Sequence, residues 1–366
     1  MSKKVSTKTY QRINGASFSS IRRKRRKSNG CVWSSIVFLL LLGLGAGYAY
    51  WLHTRPTGRH TETVYLLIDS KTDSEALREQ IHRKIYPLRP QLFDIYWKLY
   101  DVESKIRTGR YAIPTGVNTR TLIQILTESP QALVSVPLMG IRTEQEFIST
   151  LDRFLMADSA ELLSAWTDSA ELAKLGCSRE EALGLVFAEN YDLPWDIDPS
   201  SLRDSIILRY KAFWTPDRRT QLDSLELSPL QLSTLASIIE EESNKLDEYA
   251  LISGLYINRL RKGMPLQSDP TVKYALGDFS LRRILRVHLS TPSPYNTYYT
   301  VGLPPGPIRI PKRSTLEAIL KTKPHNYLYM CAKEDFSGYH NFSSSYTEHL
   351  RNARLYQREL DRRGIK

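Results

Sequence analysis

The sequence feature that most constrains the fold is an uncharged stretch of 22 residues near the N-terminus, Cys31 to Leu52. At 1.5 Å per residue, a helix of this length spans the ~30 Å hydrocarbon core of a bilayer. Aromatic residues lie near both of its ends, as is usual where transmembrane helices meet the membrane surface: Trp33 at one end, and Tyr48, Tyr50 and Trp51 at the other. The stretch therefore predicts a single transmembrane helix, residues 31–52, that anchors the chain in a lipid bilayer.

The residues before this stretch predict its orientation. Residues 1–30 contain ten lysines and arginines and no acidic residue, and such positive charge stays on the cytoplasmic side of a membrane. Residues 1–30 are thus predicted to be a basic cytoplasmic tail, with the chain from His53 onward outside the membrane. A cleaved signal peptide stays an alternative, because Gly47 and Ala49 are small residues in a cleavage-like arrangement. The body of the protein is exported in either case.

The formal net charge of +12 raises the question of a nucleic-acid partner. Ten of the 51 basic residues lie in the tail, so the rest of the chain has 41 basic and 39 acidic residues. A nearly neutral body offers no basic face that would neutralise phosphates, and no nucleic-acid partner is expected. Three cysteines are too few for a disulfide scaffold. Cys177 and Cys331 would pair only if the fold brought them together, and isolated thiols are favoured.

The body divides by pattern into a small α+β unit, residues 62–140, and a larger part that follows. In the first unit, strands are predicted at Val64–Ile68 and Ala132–Leu138, and Gly109–Pro114 is predicted to be a turn, a short strand and a stop. Helices are predicted at Asp73–Ile85, Leu92–Leu99 and, capped by Asn118, Thr119–Thr127. Residues 141–227 are mostly helical by pattern, with helices at Thr143–Phe154, Ser159–Leu175 and Leu202–Trp214 and an irregular, aromatic-rich loop at Phe187–Pro199.

One helix carries the main candidate for chemistry. Ser228 and Gln231 form a potential capping box, with a proline at the first helical position between them. At 100° per residue, Glu242 falls in the centre of an apolar face, whereas Glu240 and Glu241 fall on the polar side and are expected to be solvated. The apolar face consists of Leu232, Leu235, Ile238 and Ile239.

A carboxyl group on an apolar face loses hydration, which raises its pKa and suits it to act as a general acid near neutral pH. Glu242 is therefore a candidate catalytic acid. The alternative is a structural role, in which Glu242 bends back to water at the helix end or pairs with an arginine. Periodicity alone leaves both open.

Two irregular segments downstream are rich in groups that suit sugars. Residues 264–272 and 293–307 combine amides, hydroxyls and tyrosine rings. Sugars take hydrogen bonds at their rims and stack their C–H faces on aromatic rings. An ordinary proline-rich surface loop is the alternative for the second segment.

These segments closely resemble the MltG (YceG-like) family of endolytic murein transglycosylases. The resemblance lies in the order and spacing of Leu235–Ser243, Asn258–Leu260, Gly263–Val272, Tyr295–Tyr298 and Gly302–Gly306. Weaker similarity extends it to Gly109–Tyr111, Tyr327–Tyr329 and His340–Phe342, so that it covers most of residues 62–360. The chain departs from the family pattern at Phe187–Tyr191 and at Met139–Gly140, which affects the details of the cleft and of the strand register.

The resemblance implies a fold and a site. It implies an α+β protein with one N-terminal transmembrane helix, a LysM-like subdomain at 62–140, and a mixed α/β catalytic domain with a substrate cleft at 141–366. It implies that Glu242 is the catalytic residue, as the helical face suggests independently. Residue types in the similar loops imply substrate-binding residues: Gln267, Asp269, Tyr295, Asn296, Thr297 and Tyr298.

The resemblance also implies an activity and a location. The expected reaction is endolytic cleavage of the MurNAc–GlcNAc bond in nascent peptidoglycan strands, giving 1,6-anhydro-MurNAc ends and limiting strand elongation. The enzyme would lie in the bacterial cytoplasmic (inner) membrane with its catalytic domain in the periplasm, and peptidoglycan synthases are the protein partners that the resemblance suggests. No metal or cofactor is expected, because no metal-binding or phosphate-binding motif occurs.

Two other functions stay open. The chain would be a two-carboxylate muramidase if Asp269 faced Glu242 across the cleft, although a turn-capping role for Asp269 before Pro270 is favoured. A non-catalytic, membrane-anchored glycan-binding scaffold is the alternative from a different class.

Overall fold

The computed structural model describes residues 30–281 and 283–364, and it divides the chain into two units at Arg55. In the first unit, helix α1 (Gly30–Thr54) confirms that the uncharged stretch is helical. Its segment Val32–Thr54 is long and apolar enough to cross a membrane. The predicted basic tail lies, apart from Gly30, outside the described residues.

The second unit, Pro56–Lys366, is a mixed helical and sheet structure. Its described helices are α2 (Ser74–Ile85), α3 (Pro90–Leu99), α4 (Val102–Lys105), α5 (Thr119–Thr127), α6 (Glu144–Phe154), α7 (Ser159–Trp166), α8 (Ser169–Lys174), α9 (Pro199–Phe213), α10 (Pro216–Leu225), α11 (Pro229–Glu242), α12 (Tyr249–Arg261), α13 (Asp269–Leu276), α14 (Arg286–Leu289), α15 (Arg313–Leu320) and α16 (Tyr346–Arg362). Two short 3₁₀ helices cover Ala182–Leu185 and Leu246–Glu248.

The described strands form three separate antiparallel pairs. Strand β1 (Val64–Ile68) pairs with β2 (Gly109–Ile113), β3 (Val134–Pro137) with β4 (Asn190–Leu193), and β5 (Tyr329–Ala332) with β6 (His340–Ser343). Short antiparallel pairs among many helices are typical of an α+β protein. The mixed fold class predicted from the sequence is therefore confirmed.

Two buried hydrophobic clusters lie within the second unit. The first contains side chains between Leu66 and Leu126, and the second contains side chains between Val134 and Leu320. The side chains of β3 belong to the second cluster, although the sequence placed this strand in the unit 62–140. The division at residue 140 and the LysM-like character of the first unit stay predictions.

Several elements differ from the sequence prediction. The helix predicted over Ser159–Leu175 is two helices, because the Asp168 side chain accepts hydrogen bonds from the amides of Ala170 and Glu171 and begins a new helix there. The loop predicted at Phe187–Pro199 contains β4, and the loop at residues 264–272 runs into α13. Helix α10 was not predicted. The thiols of Cys177 and Cys331 are free, as favoured.

Candidate active site

Helix α11 places the candidate acid at its C-terminal end. The helix begins with the predicted capping box, in which the Ser228 side chain accepts from the Gln231 amide at 3.1 Å and Gln231 accepts from the Ser228 amide at 2.8 Å. Its predicted apolar face is fully buried in the second hydrophobic cluster. Since the start and one face of the helix are fixed, the position of Glu242 at its last turn is fixed as well.

The prediction that Glu240 is solvated is wrong. Its side chain is only 1% exposed. Its Oε1 accepts from the Lys312 amide and the Thr315 hydroxyl, both at 2.6 Å, and its Oε2 lies 3.5 Å from Nε of Arg309. The segment around residues 309–315 covers the side of α11 that periodicity assigns to solvent. Glu240 is therefore a structural carboxylate that joins this segment to α11.

Glu241 is also paired. Its Oε1 lies 3.0 Å from Nη2 of Arg142 and 2.8 Å from Nη1 of Arg309. Its side chain is 21% exposed, so the carboxylate is partly solvated, as predicted. Two of the three adjacent glutamates are thus held by arginines, which leaves Glu242 as the one with a different environment.

Glu242 is half-buried and accepts its hydrogen bonds through one oxygen. Its Oε1 accepts from the Tyr256 hydroxyl at 2.9 Å and from the Ser268 hydroxyl. Its Oε2 accepts none from the described residues. Burial raises the pKa of Glu242 above its ordinary value, and the negative charge of Asp269 adds to this, while the two hydroxyl donors act in the opposite direction. The net effect is a carboxyl group that keeps its proton to higher pH.

A cavity of about 320 Å³ surrounds this carboxyl group. Walls come from α12, the 266–269 segment, the β5–β6 pair and α16. Its lining residues are Glu242, Leu255, Tyr256, Arg259, Leu266, Gln267, Asp269, Tyr298, Met330, Cys331, Ala332, His340 and His349. A larger cavity of about 510 Å³ lies elsewhere on α11 and α12 and contains neither Glu242 nor any predicted site residue. The smaller cavity is therefore the candidate active site.

Three of the predicted substrate-binding residues line this cavity: Gln267, Asp269 and Tyr298. Asp269 is the first residue of α13, and its Oδ1 accepts from the Tyr298 hydroxyl at 2.8 Å. This bond places the carboxylate in the cavity, which does not fit the turn-capping role that the sequence favoured. Gln267 has a φ of 56°, in the left-handed region that is uncommon outside glycine. Its Oε1 accepts from Nη1 of Arg259 at 3.2 Å.

Asn296 and Tyr295 do not line the cavity. Asn296 has no exposed surface, and its side-chain amide donates to the carbonyls of Leu289 at 2.9 Å and Thr291 at 2.8 Å. Tyr295 packs against Tyr274, with ring centres 4.6 Å apart. The side-chain amide of Asn296 is therefore engaged within its own loop, and Tyr295 lies outside the lining of this cavity; direct contact of either with a substrate stays a prediction.

Thr297 is likewise fully buried, but it connects to the candidate acid. Its hydroxyl accepts from the Ser268 amide at 3.0 Å and lies 2.8 Å from the hydroxyl of Thr271. Ser268 in turn donates to Glu242. Thr297 thus lies next to a hydrogen-bond partner of the candidate acid, and its predicted contact with a substrate stays a prediction.

Sequence reasoning missed Tyr256 and His340, which line the cavity, and Ser268, which donates to Glu242. Nδ1 of His340 lies 2.9 Å from Oε2 of Glu248, and this carboxylate also accepts from Ser243 at 3.2 Å. Ser268 lay inside a segment already singled out, and its place beside an Asp–Pro helix start was the available signal. The contact of His340 depends on the β5–β6 pair, which no local pattern reveals.

Comparisons with known proteins agree with these features. A profile of the YceG-like family matches residues 66–355. An endolytic murein transglycosylase from Bacillus subtilis (strain 168) is 37% identical over 154 residues, 42% of each chain. Another protein of that name, from Streptococcus pneumoniae strain D39, is 26% identical over 336 residues, 82% of this chain and 60% of its own. The chain thus spans less than two thirds of the length of these relatives.

A solved structure is similar in fold. The crystal structure of a putative yceG-like protein from Listeria monocytogenes superimposes with a TM-score of 0.51 and 24% sequence identity. The match covers 80% of this chain and 99% of the other. At this identity the likeness bears on the fold alone.

Proposed function

The chain belongs to the YceG-like family, and from this premise we propose that it is a membrane-anchored endolytic lytic transglycosylase of peptidoglycan, with Glu242 as its catalytic residue. One observation carries the proposal. The carboxyl group of Glu242 lines a cavity and has a raised pKa, whereas its two neighbouring glutamates are paired with arginines. The name shared by the curated relatives supports the reaction class.

In the first step Glu242 acts as a general acid. Because Oε1 already accepts from the hydroxyls of Tyr256 and Ser268, the proton of the neutral acid lies on Oε2. Oε2 gives this proton to the glycosidic oxygen between MurNAc and GlcNAc. The bond from C1 of MurNAc to that oxygen breaks, GlcNAc leaves with a free hydroxyl, and C1 becomes oxocarbenium-like. The carboxylate left behind is stabilised by the two hydroxyl donors.

In the second step the same carboxylate acts as a base. It takes the proton of the C6 hydroxyl of MurNAc, and O6 bonds to C1 to close a 1,6-anhydro ring. Glu242 regains its proton, so no water is consumed and a second carboxylate is not needed. A single carboxyl group with a raised pKa is sufficient for this cycle.

The rest of the cavity would hold the strand. Gln267, Asp269 and Tyr298 line the cavity and are the proposed contacts to sugar hydroxyls. Asn296 and Thr297 are proposed to act indirectly, by fixing the loop and the amide of Ser268. The anchored protein would then act on nascent strands outside the cytoplasmic membrane, beside peptidoglycan synthases, and limit strand length.

A second candidate function is favoured by one observation. Asp269 lies in the same cavity as Glu242, and its charge contributes to the raised pKa of Glu242. If Asp269 activated a water molecule, the enzyme would be a muramidase that leaves reducing ends. The bond from Tyr298 to Asp269 engages one of its oxygens and favours the first candidate. A non-catalytic scaffold would have no use for a half-buried carboxyl group with a raised pKa in a cavity.

The test is mass spectrometry of purified glycan strands digested with the full-length protein in detergent. The Glu242→Gln variant removes the proposed acid, and Glu241→Gln is the matched control on the neighbouring residue. Strands that end in 1,6-anhydro-MurNAc with the wild type and Glu241→Gln, but not with Glu242→Gln, support the proposal. Reducing ends instead would identify a hydrolase, and cleavage retained by Glu242→Gln would refute the assignment of the residue.

A further inference from the structure

Arg259 is a buried cation in the wall of the active-site cavity, and its partners carry no charge. The residue is 7% exposed. Its Nε donates to the Leu328 carbonyl at 2.7 Å, and its Nη1 donates to the carbonyls of Pro265 at 3.0 Å and Leu266 at 2.9 Å, besides Gln267. Among the described residues, no carboxylate lies within ion-pair distance of Arg259. No carboxylate among the described residues therefore neutralises the positive charge of this buried guanidinium.

One end of this guanidinium is unused. Within the described part of the chain, Nη2 of Arg259 has no hydrogen-bond partner. A buried charge without a counter-ion costs free energy, and protein structures avoid it unless a partner or ligand offsets the cost. The cavity is the space from which such an anion would approach, because Arg259 is one of its lining residues.

His349 provides a second, independent observation. It lines the same cavity, and its Nδ1 is buried without a hydrogen-bond partner among the described residues. Both side chains contact Tyr329: the guanidinium carbon of Arg259 lies 5.5 Å from the centre of the Tyr329 ring, and the His349 ring centre also lies 5.5 Å from it. Burial and the charge of Arg259 lower the pKa of His349, which favours the neutral ring, and the tautomer with a proton on Nδ1 can donate a hydrogen bond there.

The other basic group of the cavity is already paired. His340 contacts the carboxylate of Glu248 through Nδ1, and Glu248 also accepts from the His340 amide at 2.8 Å. The uncompensated positive charge of the cavity is therefore located at Arg259, with His349 beside the same tyrosine ring. Glu242 and Asp269 form the acidic part of the lining.

We propose that Arg259 and His349 form a carboxylate-binding subsite within the Glu242 cavity, which takes a carboxylate carried on the lactyl side chain of a muramyl residue. Nη2 of Arg259 and Nδ1 of His349 would donate to the carboxylate oxygens in charge-assisted hydrogen bonds. This inference rests on the proposed function for the identity of the sugar. It adds that a muramyl residue is recognised by its acidic substituent, which GlcNAc lacks.

A muramyl residue can present this carboxylate in two ways. In a strand without peptide, the lactyl group itself ends in a carboxylate. In a strand with peptide, the lactyl group is an amide, and the nearest carboxylates belong to the peptide. N-acetylmuramic acid and N-acetylmuramyl-L-alanine represent the two cases, and the methyl ester of N-acetylmuramic acid is the uncharged reference.

The experiment measures binding of these three compounds to the full-length Glu242→Gln protein in detergent by calorimetry or NMR titration. Because this binding measurement does not depend on turnover, failure of the subsite and failure of the proposed reaction are distinguishable. We expect at least one acid to bind about tenfold more tightly than the ester, since hydrogen bonds to a charged group have this size. The tighter of the two acids identifies the source of the carboxylate.

Second substitutions in the Glu242→Gln background separate the charge from the fold. Arg259→Gln removes the charge but also the contacts to three backbone carbonyls. His349→Phe is included because it keeps an aromatic ring beside Tyr329 and removes the ring nitrogens, Nδ1 among them. Arg261→Gln is the matched control, since Arg261 lies on the same helix in an exposed pair with Glu226. We expect weaker acid binding with His349→Phe and with folded Arg259→Gln, and unchanged acid binding with Arg261→Gln.

Two outcomes overturn the subsite: equal binding of acids and ester, or acid binding that both His349→Phe and folded Arg259→Gln leave unchanged. Absence of any binding by the acids at millimolar concentration also overturns it. If the acids bind as expected and wild-type protein still does not cleave strands, the subsite stands and the proposed reaction fails.

Discussion

The pKa of Glu242 results from opposing contributions of a few neighbours. Burial and the charge of Asp269 favour the neutral carboxyl group, while the hydroxyls of Ser268 and Tyr256 favour the carboxylate. A residue that first gives and then takes a proton needs both influences, because a strong preference for either form would slow one of the two steps. Substitution of each neighbour is thus expected to shift the pH dependence of cleavage. The direction of the shift depends on whether the substitution removes a negative charge or a hydrogen-bond donor.

Replacement of the acid itself gives the largest effect. Glu242→Gln keeps the size of the side chain and can still accept from Tyr256 and Ser268, but it has no proton to give. We expect the cleavage rate to fall by about 10³-fold or more, with an unchanged circular dichroism spectrum. Strand cleavage assays at matched protein concentration check this, and a fall of less than tenfold would contradict the role of Glu242.

The same substitution should stabilise the protein at neutral and alkaline pH. Because the pKa of Glu242 is raised in the folded state, this group's contribution to stability is fully present below its ordinary pKa and is lost as the pH rises through the folded pKa. Glutamine does not ionise, so Glu242→Gln should melt at a higher temperature than the wild type above that pH, by the equivalent of about 0.5–2 kcal/mol. Below pH ~4 the two should melt alike. A lower melting temperature of the variant at pH 8 would argue against a desolvated carboxyl group.

Ser268 and Asp269 should move the pH profile in opposite directions. Ser268→Ala removes a donor to the carboxylate, which raises the pKa of Glu242, so the fall in activity on the alkaline side moves to higher pH. Asp269→Asn removes a negative charge, which lowers that pKa and moves the fall to lower pH. Rates measured from pH 4 to pH 9 check both, and shifts in the same direction would contradict this electrostatic account.

Much of the candidate site could be predicted from the sequence one residue at a time. The errors of that prediction have a common cause, which is contact with residues far away along the chain. Helical periodicity identified Glu242 because the apolar face of α11 is continuous and local. It failed for Glu240, whose partners Lys312 and Thr315 come from more than 70 residues away along the chain. Asn296 and Thr297 were assigned by residue type, which cannot distinguish an amide or hydroxyl that binds a ligand from one that holds its own loop.

At the scale of elements, the contact of α11 with the segment around residues 309–315 depends on Glu240. Glu240→Ala would leave the Lys312 amide and the Thr315 hydroxyl without their acceptor and Arg309 with Glu241 alone. We expect a loss of about 3 kcal/mol, the usual size for breaking a buried charge network. Thermal or urea unfolding checks this. Glu241→Ala is the control, since Glu241 is more exposed and its loss should cost less; equal costs would contradict the structural role of Glu240.

The positions of most elements followed from local signals, whereas their partners did not. The bounds of β1 and the N-terminal cap at Asn118 agree with the sequence patterns. The pairing of β3 with β4 joins Val134 to Leu193 across the helices α6 to α8. Short strands of four residues carry too little alternation to show their register, and β4 was missed for this reason.

At the scale of the whole molecule, both buried clusters lie between residues 66 and 320. Among the described residues, no side chain before Leu66 belongs to the buried part of either cluster. The sequence could predict this division because a long uncharged helix after a basic tail is a strong signal. It could not place the limit between the two clusters, since β3 follows the first unit in sequence but packs into the second cluster.

This separation predicts that residues 56–366 fold and cleave without the N-terminal unit. The fragment should melt within a few degrees of the full-length protein, because no buried contact of either cluster is removed. It should cleave purified strands at the same rate, since all lining residues of the Glu242 cavity lie within it.

In cells, an exported fragment should fail to shorten glycan strands when it replaces the full-length protein, because it would be diluted away from the membrane where strands are made. A fragment that restores normal strand length would show that the anchor is not needed to bring the enzyme to its substrate, and an unfolded fragment would contradict the independence of the two units.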